Sequence, residues 1–334
     1  MEFGPVPVAQ AEGAILAHSL MLGGRRLRKG QVLGRTEIEG LLADGVLSVT
    51  VARLGQDDVA EDAAATRLAK ALVPDPTAAN LSQTEAFTGR VNLNAIGPGI
   101  VEIDARAIHA LNRIDPALTL ATLAPFARVE AGLLVGTVKI ITYAVSKAAL
   151  ARACEVARGA VRVRPVTLRS AGLLMTDVPG QEDKLIAKGR RAVEARLKAL
   201  GMELAGVETV PHETLAMADA LRILPGDMLL ILTGSATSDL MDTGPEAVRA
   251  AGGTVARFGM PVDPGNLLFH GALGHRPVLG LPGCARSPAL NGADWVLERM
   301  ACGLEVSDDD IAGMGVGGLL KEIPIRPQLR ERTR

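Results

Sequence analysis

The stretch Met228-Leu229-Leu230-Ile231-Leu232-Thr233-Gly234-Ser235-Ala236-Thr237-Ser238-Asp239-Leu240-Met241-Asp242 runs from five apolar residues into a loop of small, hydroxylated and acidic ones. The apolar part reads as a strand covered on both faces, as strands of parallel sheets are. Outward from it, strands and helices alternate. Strands are expected at Pro165–Met175, Glu203–Val210, Val255–Phe258 and Arg276–Leu281. Helices are expected at Lys184–Leu200, His212–Ile223 and Pro245–Ala251. Gly201 ends the first helix, because a residue able to take the left-handed conformation suits the C′ position. Alternation of this kind predicts βαβ units, hence an α/β fold. The specific expectation is a three-layer α/β/α domain with a mostly parallel sheet over residues 161–310, followed by a C-terminal tail at 311–334.

Residues 1–160 read differently, as a smaller mixed α+β region. Helices are expected at Val8–Leu20, Arg35–Asp44, Asp58–Leu72, Ala105–Asn112 and Lys147–Ala157, with a strand at Leu47–Val51. The Ala-rich helix stops at Val73-Pro74-Asp75-Pro76, since proline lacks the N–H and restricts the residue before it. Leu133–Val145 reads as a strand pair or one long bent strand.

Composition removes several classes of function. The 334 residues are 48% hydrophobic, enough for sizeable cores, but only 2% aromatic, so Ala, Leu, Val and Ile must fill them. Few rings argue against stacking-based binding of single strands, and 36 basic against 37 acidic side chains leave no field that draws in a polyanion. Nucleic acid is therefore not an expected partner. The basic end, Arg326-Pro327-Gln328-Leu329-Arg330-Glu331-Arg332, reads as a solvated terminus. The three cysteines, Cys154, Cys284 and Cys302, have no metal-site spacing and form no even framework, as in a reducing compartment. With no signal-peptide pattern and no long apolar span, a cytoplasmic protein off the membrane is expected.

Ligands of parallel α/β sheets bind beyond the carboxyl ends of the strands, and two loops fall there. In the first, Gly234, Ser235, Thr237 and Ser238 offer close backbone approach and hydroxyls, and Asp239 and Asp242 offer carboxylates before a helix. Read by itself, this is also a Ser/Thr/Asp turn that caps the next helix. The second loop is Leu281-Pro282-Gly283-Cys284-Ala285-Arg286-Ser287-Pro288. Here Pro282 and Gly283 make the turn, Ser287 lies before the helix, and Arg286 can supply a charge-assisted hydrogen bond. By itself it too is an ordinary strand-to-helix turn. A third element, Met260-Pro261-Val262-Asp263-Pro264-Gly265-Asn266, is a turn ahead of Leu267–Gly271.

The order of these three elements resembles the molybdopterin molybdotransferase family, of the gephyrin E-domain type. That family reads Gly-Gly-x-Ser-x-Gly-x-x-Asp, then Lys-Pro-Gly-Lys-Pro, then Gly-Leu-Pro-Gly-Asn-Pro. Gly234 matches the first glycine, Thr237 stands at the serine, and Asp242 matches the aspartate. Pro264 and Gly265 match the Pro-Gly element, and Gly280–Gly283 the Gly-Leu-Pro-Gly turn. The likeness spans residues 165–305, with a weaker one over residues 8–53. It implies a pocket for the pterin phosphate lined by these loops, and self-association. Asp239 and Asp242 are then the candidate catalytic pair and, with ligand phosphates, candidate ligands to Mg²⁺.

The departures bear on function. Asp263 and Asn266 stand where the family has lysines, and Met175-Thr176-Asp177-Val178 stands where it reads Thr-Gly-Asp-Glu. The family's Met-Asp-Gly-Tyr-Ala segment is missing. A site that activates molybdate beside a phosphate needs positive charge or a divalent metal. The expected function is therefore binding of molybdopterin or the molybdenum cofactor, passed to a maturation protein or molybdoenzyme. The enzymatic alternative is a divergent molybdotransferase inserting molybdate into adenylylated molybdopterin with Mg²⁺. A third reading is an unrelated nucleotide-binding regulator. Outside the loops, His270 and His275 read as solvent-facing or structural, Cys284 as a plain small residue, and Arg25–Lys29 as a solvated basic run; His212 reads as a helix start, where the resemblance implies a substrate-facing turn.

Overall fold

A computed structural model describes residues 1–180 and 183–320. The basic run at 326–332 lies outside the described residues, as does the rest of the expected tail beyond 320. The chain divides into two compact units: residues 1–97 with 101–163, and residues 98–100 with the chain from Arg164 onward.

The second unit is built on a six-stranded sheet. At its centre Met228–Leu232 pairs in parallel with Ser170–Asp177 on one side and with Arg276–Gly280 on the other. Glu203–Pro211 extends the parallel part beyond Ser170–Asp177. On the far side Phe269–Leu273 runs antiparallel to Arg276–Gly280, and Thr254–Phe258 antiparallel to Phe269–Leu273.

Period-two alternation sorts the central strands between two cores. Leu230 and Leu232 pack with Val193 and Leu197 of the Asp183–Ala199 helix and Val296, Leu297 and Met300 of the Gly292–Ala301 helix. Leu229 and Ile231 pack on the opposite face with Met217 and Leu221 of the Thr214–Ile223 helix and Ala247 and Val248 of the Thr243–Ala250 helix. All five residues of Met228–Leu232 are buried, as a strand covered on both faces must be. The unit is a three-layer α/β/α fold. Its core runs on through Ile311 and Met314, carried by the Asp308–Gly313 helix.

The first unit mixes short sheets and helices. Its Glu2–Pro7 strand pairs antiparallel with Ser48–Arg53. The helix expected at Val8–Leu20 is not formed. One 3-10 turn covers Val8–Gln10, Gly13 takes a left-handed φ of 73°, and Ile15–Leu16 joins the sheet edge beside Ser48–Arg53. The proline at Pro7 and the glycine at Gly13 punctuate the apolar run before a helix can propagate. Helices at Arg35–Ala43, Glu61–Leu72, Ala105–Asn112 and Lys147–Val156 follow the sequence pattern. The segment read as one bent strand or a pair is two strands with separate partners. Leu134–Ile140 lies between Leu118–Thr122 and Arg90–Ala95, whereas Ala144–Ser146 pairs with Asp58–Ala60. Among the described residues, no helix is long and apolar enough to cross a membrane.

Candidate functional site

The parallel strands of the second unit point their carboxyl ends to one edge, where the two motif loops emerge. Met228–Leu232 and Arg276–Gly280 are direct neighbours, with Ile231 opposite Gly280, so the loops that follow them leave the sheet side by side. Leu281 N–H donates to Ile231 O at 2.8 Å, extending the pairing to the first residue of the second loop. Arg286 then donates through Nη2 to the carbonyl of Thr233, which joins the second loop to the start of the first.

Within the first loop, Asp242 organises the turn. Ser238 donates to Asp242 Oδ2 through its N–H at 2.9 Å and its hydroxyl at 3.2 Å. Thr243 N–H donates to Oδ1 at 2.7 Å, so Asp242 is the N-cap of the Thr243–Ala250 helix. The Ser238 N–H holds this carboxyl below the usual carboxylate range. Thr243 N–H, the Ser238 hydroxyl and the nearby His212 add to the effect, and partial burial opposes it. Asp239 accepts Met241 N–H on Oδ1 at 2.7 Å. Ser235 is exposed, while Thr237 is buried beside Gly244.

Gly234 N–H donates at 2.7 Å to the hydroxyl of Thr176, the penultimate residue of the neighbouring strand. That hydroxyl lies 3.0 Å from Nδ1 of His212, at the end of the next strand along. Three successive strand ends are thus stitched together by one polar chain: Gly234, Thr176, His212. The sequence marked Thr176 only as a departure from a motif, and His212 as a helix start at a position where the resembled family has a substrate-facing turn. What brings them together is the register of three parallel strands far apart in sequence.

The second loop is held from below. Pro282 is buried, Gly283 is exposed, and a 3-10 turn spans Gly283–Arg286. Arg196, on the Asp183–Ala199 helix, donates to the carbonyls of Ala285 at 2.9 Å, Ser287 at 2.8 Å and Ala289 at 3.2 Å. Its Nε donates to Asp294, whose other oxygen accepts Asn291 N–H at the start of the last long helix. Arg286 is half-buried, and burial lowers its pKa from the ordinary guanidinium value; it stays charged, because guanidinium groups do not deprotonate in proteins. Its Nε is buried with no protein partner among the described residues.

Pro264 and Gly265 also lie at this edge, in the connection from Thr254–Phe258 to Phe269–Leu273, but they are buried under the last long helix. Gly292 N–H donates to Pro264 O at 2.8 Å. Gly265 has φ 141°, and a Cβ there would sit 2.6 Å from Gly292 N. The glycine is required by that backbone approach. Gly280, too, has a packing reason: a Cβ would come within 2.0 Å of the ring of Phe269, its antiparallel partner.

The arrangement offers hydroxyls, two carboxylates and an imidazole around small residues at a sheet edge. Asp242 already serves three donors through its two oxygens and Asp239 one. Among the described residues no group of three or more His, Cys, Asp or Glu converges as a metal cage.

Comparison with known proteins gives three findings. A family model described as "Domain of unknown function (DUF8806)" matches residues 5–53, in the first unit. No curated protein matches the chain. Among solved structures, the chain is similar to a molybdopterin biosynthesis MoeA protein from Pyrococcus horikosii, at 13% identity over 90% of this chain and 76% of that one, with a TM-score of 0.29. It is also similar to a molybdenum cofactor biosynthesis protein from Pyrococcus furiosus, at 11% identity over 93% of this chain and 65% of that one, with a TM-score of 0.23. Scores this low carry no statement about a shared site or activity.

Proposed function

We propose that the second unit binds molybdopterin, or the molybdenum cofactor made from it, at the carboxyl edge of its sheet during the cofactor's biosynthesis or maturation. One observation carries this reading. The two loops whose residues match the molybdotransferase pattern leave adjacent parallel strands and are joined by Arg286 on the Thr233 carbonyl. Such an edge is where α/β sheets take ligands, and the exposed Ser235 and Gly283 leave backbone open to approach by a phosphate.

Binding and transfer to a maturation protein or molybdoenzyme fit this edge better than molybdate insertion. Asp263 is exposed where the pattern has a lysine, and Asn266, likewise exposed, takes the place of a second. A carboxylate and an amide in place of two cations disfavour a second anion beside a bound phosphate. The insertion reading is favoured by the Asp242 carboxyl, kept ionised at the same edge as Asp239; there the pair would hold Mg²⁺ jointly with ligand phosphates.

Mass spectrometry of the full chain, purified under native conditions from molybdenum-replete cells, is expected to release a pterin. A chain that carries none, and takes up none when offered molybdopterin, contradicts both readings. Molybdate-dependent formation of active cofactor in vitro, abolished by Asp242→Ala with pterin binding retained, would replace the carrier reading by the enzyme.

A further inference from the structure

We infer that His212 is the ligand-facing hydrogen-bond donor of the strand-end site, for a phosphate oxygen, and that Thr176 is the positioning residue that makes it a donor. The inference rests on the reading of this edge as a ligand site, and it assigns a donor role and a tautomer to one side chain in that site.

The reasoning is a count of protons. Thr176 is 1% exposed, so its hydroxyl proton has no water to go to. Its oxygen already accepts Gly234 N–H at 2.7 Å. The acceptor within reach of the hydroxyl proton, among the described residues, is Nδ1 of His212 at 3.0 Å. A buried hydroxyl proton left without an acceptor is unfavourable, so Thr176 donates and Nδ1 accepts. The tautomer is assigned by this network, and it places the ring proton of neutral His212 on Nε2.

His212 is half-buried, and its Nε2 has no protein partner among the described residues. The chain from Gly234 N–H through Thr176 Oγ1–H to His212 therefore ends in an N–H donor with its own acceptor still to be found. It does so near the Asp242 carboxyl of the first loop. The alternative tautomer would present a lone pair instead, which repels a phosphate oxygen. Thr176 thus decides the sign of what His212 offers.

Long-range proton–nitrogen correlation spectra of the histidine-labelled full chain read the tautomer directly. His212 is expected to show an unprotonated Nδ1 and a protonated Nε2. Thr176→Ser should keep that pattern, and Thr176→Val should lose it. Inorganic phosphate, titrated into the chain, is expected to shift the Nε2 resonance of His212 and to bind at least about tenfold more weakly to His212→Phe. A proton on Nδ1 in the native chain, a pattern unchanged by Thr176→Val, or equal phosphate binding by His212→Phe overturns the inference. If Thr176→Val does not fold, the native spectrum and His212→Phe decide it. The two readings fail separately. Molybdopterin bound equally well by native chain and His212→Phe sinks only the role of His212. Phosphate binding that depends on His212, without any binding of molybdopterin, sinks only the pterin.

Discussion

Two polar knots sit at the carboxyl edge of the second unit, and they differ in how they end. The knot around Arg196 is closed. Its guanidinium serves Asp294 and the carbonyls of Ala285, Ser287 and Ala289, and both charged side chains are only 10% exposed. The knot around Thr176 is open. It gathers Gly234 and His212 by hydrogen bonds and leaves an imidazole nitrogen without a protein partner among the described residues. A closed network rigidifies the loop it holds, because each nitrogen of the Arg196 guanidinium has an acceptor. An open one, at the edge where ligands of such sheets bind, has a donor to give away. Structure and recognition are thereby divided between neighbouring loops.

The sharpest way to break this division is to cut the closed knot. Arg196→Ala leaves Asp294 without its charge partner and three carbonyls without a donor, and should cost about 3–5 kcal/mol in urea unfolding of the full chain. Arg196→Lys should recover only part of this, since a compact ammonium cannot fork to several carbonyls at once. A loss below about 1 kcal/mol would show that the knot does not hold the loop.

A smaller effect is expected at Asp242, which belongs to the first loop but does local work as a cap. Asp242→Ala should cost about 1 kcal/mol, and Asp242→Asn much less, because asparagine caps as well as aspartate. The pH dependence separates charge from shape. The folded carboxyl titrates below its unfolded value, so its stabilisation is fully present above about pH 4 and is lost as pH falls through the folded pKa. That part of the acid destabilisation should vanish in Asp242→Asn. An unaltered acid limb would assign the effect to other carboxylates.

A stability effect below that of Arg196→Ala is expected at the end of the open knot, where one hydrogen bond is lost in place of several. His212→Phe leaves the buried Thr176 hydroxyl proton without its acceptor and should cost about 1–3 kcal/mol in unfolding, while weakening anion binding. A loss of stability comparable to Arg196→Ala would make His212 another brace, and the two knots equivalent.

How legible these features are in the sequence follows from their range. Met228–Leu232 is readable because five consecutive apolar residues need cover on both faces, and the observed strand has the same ends. Helices with clear periodicity, such as Ala105–Asn112, are equally plain. Val8–Leu20 misleads because its apolar residues fall at helical intervals, while Gly13 and strand pairing with Ser48–Arg53 settle its conformation. At the candidate site, the cap at Asp242 is visible locally as Ser/Thr/Asp before a helix. The Gly234–Thr176–His212 chain is not, since its members are separated by 58 and 36 positions and meet only through the register of parallel strands. Arg196 is likewise indistinguishable in the sequence from other arginines of its helix. Its partners outside its own helix arrive from 89 to 98 residues away.

The central claim is that this edge binds a pterin phosphate, and anaerobic titration of molybdopterin into the native chain and Ser235→Asp tests it most directly. Ser235 is exposed at the start of the first loop, so a carboxylate there leaves the fold intact and opposes a phosphate. The expected result is saturable binding of about one pterin per chain, weakened at least about tenfold by the substitution. No saturable binding, or equal affinity for both chains, would contradict the claim.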